Sequence, residues 1–167
     1  MAAQQYSVVS QKLYLARALL TQLEHIEGGT APGQAPAAVQ KQALGQASAE
    51  MLLRARQILL VMVARYHQHK QACPRTLEEL EALFSYSVPD LEALQQLATT
   101  PDSWWNHLAR LEKALNEPVA PNKPATTENV IAVSSEPEAD FSPAALEKTR
   151  SAVAAFARTL SEQHNEW

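Results

Sequence analysis

The residue types that most often bind metals or act as nucleophiles are sparse in this 167-residue chain, which has five histidines and one cysteine. His67, His69 and Cys73 are close in sequence. Histidines at positions i and i+2 point about 200° apart, so they cannot ligate one ion while a helix continues. A zinc site needs about four ligands, and the other histidines are scattered along the chain. We therefore predict no metal site and no cofactor.

Sequence motifs of catalysis are also missing. The chain contains no phosphate-binding loop, no G-x-S-x-G nucleophile turn and no H-E-x-x-H zinc motif. The thiol of Cys73 would lie near the C-terminal end of a helix, where the helix dipole disfavours a thiolate. We expect a protein that is not an enzyme.

Charge is divided unevenly along the chain, whose net charge is −4. Residues 1–75 contain eight lysines and arginines against three acids, whereas residues 76–167 contain six against fifteen. One interpretation is that the halves pair on folding, with the arginines facing acidic helices between Glu78 and Glu92. The alternative is that the basic half binds nucleic acid or another anionic ligand through Arg54 and Arg65, which share one helical face.

The elements that must position these residues are helices, and the longest is predicted for residues 37–71. Its apolar residues recur at spacings of three and four, and its centre, Ile58–Ala64, is apolar on every side. Such a helix must be buried by neighbours or by lipid. Arg56 and Arg65 bracket a run far shorter than the roughly 18 residues of a membrane span, so we predict a central core helix.

Further helices are predicted on both sides of the central one. Periodic apolar residues predict a first helix over 4–27. Capping residues with nearby glutamate or proline predict the later helix starts, and these lie at Thr76, at Ser87, in the stretch Thr100–Ser103, where a threonine precedes a proline, and at Ser142. The fold class is therefore all-α, an irregular helical bundle that forms a single domain over residues 1–167.

A proline-rich stretch, residues 117–141, interrupts the helical pattern and is predicted to be a mobile or extended linker. Within it, Val130, Ile131 and Val133 belong to an apolar run that could lie in a groove between helices or wait for a partner segment. Two tryptophans could also contact a partner. Adjacent residues of a helix point about 100° apart, so if Trp104 faces the core, Trp105 is expected to be partly exposed. The second tryptophan is Trp167, the last residue of the sequence.

The order of these features resembles a small uncharacterised bacterial family of the pseudomonad type, whose function is unassigned. The residues that carry the resemblance are Lys12–Arg17, Arg65–His67, Leu97–Trp104, the proline-rich break and the closing Glu166–Trp167. The resemblance spans nearly the whole chain and implies a helical protein of unknown role. It carries over no catalytic residue.

Taken together, the sequence favours a non-enzymatic helical protein with a protein-interaction or adaptor role, either with an unknown partner or by self-association. Anionic-ligand binding through the basic half is the alternative. A single cysteine and the absence of a recognisable secretory signal lead us to expect a cytoplasmic location.

Overall fold

The computed structural model describes residues 2–26, 35–117 and 138–165 of the chain. Every regular element in these ranges is an α-helix, so the predicted all-α class is confirmed. In chain order, the helices are α1 (Ala2–Glu24), α2 (Ala37–Tyr66), α3 (Leu77–Glu81), α4 (Pro89–Thr99), α5 (Trp104–Asn116) and α6 (Pro143–Asn165).

Helix α2 is the longest of the described helices, and it packs against α1, α3, α5 and α6. Its central turns are the most deeply buried, because their apolar side chains point in several directions and each direction meets another helix. The residues of these turns with no exposed surface are Leu59, Leu60, Met62, Val63 and Ala64. Each buried leucine or methionine contributes about 1.5–3 kcal/mol relative to an exposed one.

Helices α1 and α2 form the most extensive helix pair in the described structure. Small residues meet at this interface, where Ala16 of α1 lies against Ser48 of α2. The buried Ser48 hydroxyl donates a hydrogen bond to the Ala16 carbonyl at 3.3 Å, which satisfies the one polar side chain that α2 inserts here. This hydrogen bond therefore joins the two helices at a point where both carry small residues.

Helix α2 ends at Tyr66, five residues before the predicted end. Beyond it, Gln68 adopts a positive φ of 68°. Its backbone N–H donates to the Arg65 carbonyl at 3.1 Å, and the next N–H, of His69, donates to Ala64 at 2.9 Å. This is the hydrogen-bond pattern of a Schellman motif, with glutamine at the left-handed position that glycine usually occupies.

Side-chain caps start three of the later helices. Those at Thr76 and Ser142 are as predicted, whereas in the stretch Thr100–Ser103 the cap is Ser103 and not the threonine before the proline. Thr76, Ser103 and Ser142 each accept a hydrogen bond from the backbone N–H three residues later, at 3.2–3.3 Å. The predicted cap at Ser87 is wrong. Val88 is the N-cap residue of α4, and the Ser87 hydroxyl donates instead to a glutamate carboxylate within that helix.

Two further observations concern membranes and the proline-rich stretch. None of the helices described here is long and apolar enough to cross a membrane. Of the predicted linker at 117–141, residues 118–137 lie outside the described residues, as do Val130, Ile131 and Val133. The prediction of a single domain and of a mobile linker stays a prediction.

Gln68→Gly should stabilise the protein, because glycine has no Cβ to strain the left-handed conformation at the end of α2. Part of this gain is offset by the greater freedom of glycine in the unfolded chain. We expect the free energy of unfolding to rise by about 0.5–1 kcal/mol, measured by urea denaturation. Gln68→Val is the control and should destabilise; equal stability of all three proteins would contradict the assignment.

Gly45→Ala should also stabilise the protein. A Cβ at this position would contact the Phe141 carbonyl oxygen at 3.6 Å and the Phe141 Cβ at 4.0 Å, which are ordinary van der Waals distances. Because alanine is the better helix former, thermal and urea unfolding should report a gain of about 0.5–1 kcal/mol. Gly45→Leu would overfill the same space, and its unfolding free energy should fall below that of the wild type.

Candidate functional site

The two tryptophans at the start of α5 are both buried, so the expectation that Trp105 is partly exposed is wrong. Only 9% of Trp105 is exposed. The residues point in different directions, but each direction is covered. The Trp104 ring packs against Phe156 of α6 at a centroid distance of 5.7 Å, whereas the Arg56 guanidinium of α2 lies 5.2 Å from the Trp105 ring centroid.

Arg56, which belongs to the basic part of the chain, also forms an ion pair with Glu112 of α5, in the acidic part. Its Nη2 lies 2.5 Å from an oxygen of Glu112. The acidic partners of these arginines were expected between Glu78 and Glu92, and for Arg56 that expectation is wrong. Arg56 therefore contacts both a buried aromatic ring and an acidic residue of α5.

The two arginines predicted for an anionic ligand have different surroundings. Arg54 is exposed and donates a hydrogen bond to the Gln57 side chain at 2.8 Å. Arg65 is half-buried, and its Nε has no hydrogen-bond partner among the described residues. Trp167 lies outside the described residues. The prediction that any of these three side chains binds a ligand or partner stays a prediction.

The structure brings together three side chains that are far apart in the sequence: His67, Asp90 and His164. The Nε2 atoms of His67 and His164 lie 2.8 Å and 2.7 Å from the same Asp90 oxygen, Oδ2. One potential ligand atom from each residue lies within 4.8 Å of the others. We call this group the histidine–aspartate cluster.

Three helix ends position the cluster. His67 is the C-cap residue of α2, His164 lies in the last turn of α6, and Asp90 lies in the first turn of α4. Pro89, at the first position of α4, has a fixed φ suited to that place and so helps to orient the following carboxylate.

Aromatic packing holds both imidazole rings in place. The Tyr66 ring stacks on the His164 ring with a centroid distance of 4.1 Å and an interplanar angle of 8°. His67 packs edge-on against Phe84, and the two imidazoles are nearly perpendicular to each other, at 86°. The carboxylate can only accept hydrogen bonds, so both rings donate to it through Nε2–H.

The sequence carried little signal for this cluster. The sequence groups His67 with its neighbours His69 and Cys73, whereas His164 lies far from them along the chain. The partners that the fold supplies are 23 and 74 residues from Asp90. The only available signal was that a histidine and an aspartate lay next to predicted helix ends, where several chain segments can converge.

A second group of polar residues lines a pocket of about 190 Å³ between α1 and α6. We call it the α1–α6 arginine pocket, after Arg17, Arg150 and Arg158. Arg150 is held by Glu147 through two hydrogen bonds, of 2.6 and 2.7 Å. The guanidinium groups of Arg17 and Arg158 donate no hydrogen bond within the part of the chain that the structure describes.

Tyrosine hydroxyls and small residues complete the arginine pocket. Tyr6 and Tyr14 of α1 line it, and the Tyr14 side chain is 72% exposed. The remaining lining residues are Ser10, Leu13, Ala154 and Ala157. The pocket therefore presents hydrogen-bond donors and positive charge above an apolar floor, and no acidic residue lines it.

A third polar contact, around His107, serves the packing of the fold. Nε2–H of His107 donates to the Asp140 carbonyl at 2.9 Å, so in the neutral ring Nδ1 accepts from the Thr149 hydroxyl at 2.6 Å. The adjoining cavity of about 360 Å³ is lined by side chains of both charges. Because both ring nitrogens are engaged, His107 ties the segment before α6 to α5 and α6.

The described fold and sites define an all-α protein with a histidine–aspartate cluster and an arginine pocket. The chain belongs to a family of proteins of unknown function, DUF6586, whose model matches residues 1–167. No curated protein and no solved structure matches the chain. Membership of an uncharacterised family, expected from the resemblance, is confirmed; its bacterial origin stays an expectation.

The pair of Glu147 and Arg150 should make stability sensitive to acid. The hydrogen bonds from Arg150 hold the pKa of Glu147 below its ordinary value of 4.5. Because the folded-state pKa is lowered, the stabilisation is complete above pH 4.5 and is lost as the pH falls through the folded-state value. The carboxylate is 41% exposed, so solvent screens the pair.

Glu147→Gln tests this effect. At pH 7 and low salt we expect the variant to be less stable by about 0.2–0.5 kcal/mol, the range of helical pairs three or four residues apart. Well below pH 4.5 the stabilities of the two proteins should converge. Urea denaturation across a pH series provides the measurement. A difference that persists in acid would show that the carboxylate stabilises the fold by other contacts.

Proposed function

We propose that this chain is a non-enzymatic binding protein whose α1–α6 arginine pocket accepts an acidic group of a protein partner. The observation that carries the proposal is that Arg17 and Arg158 line the pocket without a hydrogen-bond acceptor among the described residues. A planar guanidinium binds a carboxylate through two parallel hydrogen bonds. An acidic side chain of a partner would supply the acceptors.

The charge balance of the pocket supports an anionic occupant. Arg150 is paired with Glu147, and the positive charge of Arg17 also acts on that carboxylate. The Glu147 carboxylate therefore offsets only part of the charge of the three guanidinium groups, which leaves an excess of positive charge beside Arg158. An incoming carboxylate would be attracted before contact, and the attraction would weaken with added salt.

The size of the pocket favours a protein side chain over a cofactor or drug-sized ligand. Its volume of about 190 Å³ lies below the roughly 300–1,000 Å³ of typical small-molecule sites. The exposed Tyr14 stands beside it, and tyrosine and arginine are among the residues that dominate binding energy at protein interfaces. A shallow pocket with such a border suits one anchoring residue within a wider contact.

The arginine pocket does not contain the residues that the sequence suggested for partner binding. The apolar run at Val130, Ile131 and Val133 stays a candidate second contact. The alternative, binding of nucleic acid or another anion through Arg54 and Arg65, has less support. Arg65 is half-buried, and Arg54 already donates a hydrogen bond to its own helix.

A comparative pull-down tests the proposal. The baits are wild type, Arg17→Glu/Arg158→Glu and Arg54→Glu, all charge reversals at exposed positions. Lysate is divided into nuclease-treated and untreated halves, and bound proteins are quantified by mass spectrometry. We expect a protein that wild type and Arg54→Glu recover equally, with or without nuclease, and that the double variant recovers at least about tenfold less, since losing desolvated charge pairs costs several kcal/mol.

Circular dichroism of each bait checks that helix content is unchanged. Recovery of the same partner by the double variant would contradict the proposal, as would an empty pull-down with wild type. Recovery that disappears with nuclease and falls with Arg54→Glu would favour the nucleic-acid alternative. A salt series on the wild-type complex should show weakening with ionic strength.

A further inference from the structure

We propose that the histidine–aspartate cluster is a binding site for a divalent transition-metal ion of the zinc type. Its protein ligands would be Nε2 of His67, Nε2 of His164 and a carboxylate oxygen of Asp90. This inference is independent of the arginine pocket, which lies between α1 and the middle of α6. It rests on the convergence of three side chains from three helix ends.

The distances between the ligand atoms fit a small ion after a minor adjustment. Zinc binds histidine nitrogen and carboxylate oxygen at about 2.0–2.2 Å, so ligand atoms of a tetrahedral site lie about 3.3–3.5 Å apart. The present nitrogen–oxygen distances are 2.8 Å for His67 and 2.7 Å for His164. Each imidazole would move away from the carboxylate by about 0.5–0.8 Å, a shift that side-chain rotation can supply.

The donor set selects the class of ion. Two imidazoles and one carboxylate suit zinc and its first-row neighbours. Calcium and magnesium prefer oxygen ligands, and this cluster offers only one carboxylate. No thiolate belongs to the cluster, since Cys73 is exposed and is not one of its members.

The rings are already oriented as a metal site requires. Tyr66 stacks on His164 and Phe84 packs against His67, so neither imidazole loses much rotational freedom on binding. In the present arrangement each Nε2 carries the proton that it donates to Asp90. A bound ion would replace both hydrogen bonds, and each neutral ring would then carry its proton on Nδ1.

Partial burial leaves the ion accessible while shielding its protein ligands. Side-chain exposure is 8% for Asp90, 19% for His67 and 25% for His164. A buried carboxylate strengthens its interaction with a cation because water competes less. The exposed edges of the imidazoles leave room for water at the remaining coordination position, as in sites with three protein ligands.

The bound ion would join parts of the chain that are distant in sequence. It would fasten the last turn of α6 to the end of α2 and the start of α4. Because a ligand that binds only the folded state stabilises it, the melting temperature should rise with metal concentration. Backbone amides in the last turns of α6 should also exchange more slowly with solvent.

Metal binding can be measured directly on the full, tag-free chain carrying Cys73→Ser. Isothermal titration with Zn²⁺ should give one site per chain. Asp90→Asn and His164→Ala in this background should each lower the affinity by at least about 100-fold, more than the loss of an outer-shell partner causes. His25→Ala removes an imidazole at the end of α1, outside the cluster, and is the matched control; its affinity should be unchanged.

Two readouts keep the test decisive if a cluster variant folds poorly. Co²⁺ bound to the Cys73→Ser protein should show visible d–d bands, and Zn²⁺ should abolish them by competition. The ring resonances of His67 and His164 should shift on Zn²⁺ titration, whereas those of His25 should not. Absence of a one-to-one site, or equal affinity in Asp90→Asn, His164→Ala and His25→Ala, would overturn the proposal and leave the cluster as a hydrogen-bonded tie between helices.

Discussion

The structure depends on burial of the central turns of α2. Leu59, Leu60 and Met62 have no exposed surface although they point to different sides of the helix. Because one neighbour can cover only one side, several helices must surround this segment. Helices α1, α5 and α6 do so, and α3 also contacts α2. The histidine–aspartate cluster and the arginine pocket both form where helices of this arrangement meet.

Helix α6 contributes to the histidine–aspartate cluster, to the arginine pocket and to the contact around His107. Thr149 contacts His107, Arg150 and Arg158 line the arginine pocket, and the last turn carries His164. It packs on α1, α2 and α5, so residues that point in different directions, such as the adjacent Thr149 and Arg150, meet different neighbours. Packing of one amphipathic helix thereby distributes three distinct chemical environments along its length.

Local signals in the sequence predicted more of the fold than of the sites. Apolar spacing predicts the helices, and the side-chain caps at Thr76 and Ser142 act within three residues, so they can be read without a structure. The Schellman turn at Gln68 was missed because the usual signal is glycine. The exposure expected for Trp105 was wrong because exposure depends on which helices cover α5, and spacing along one helix does not contain that information.

The sequence by itself determined the all-α class, most helix starts and the need to bury α2. These properties depend on interactions between residues a few positions apart or on apolar content. Only the tertiary structure decided that His67, Asp90 and His164 share one carboxylate oxygen and that Arg17 faces Arg150 and Arg158 across a pocket. The physical reason is that these contacts join distant segments, whose relative positions are set by the packing of whole helices around α2.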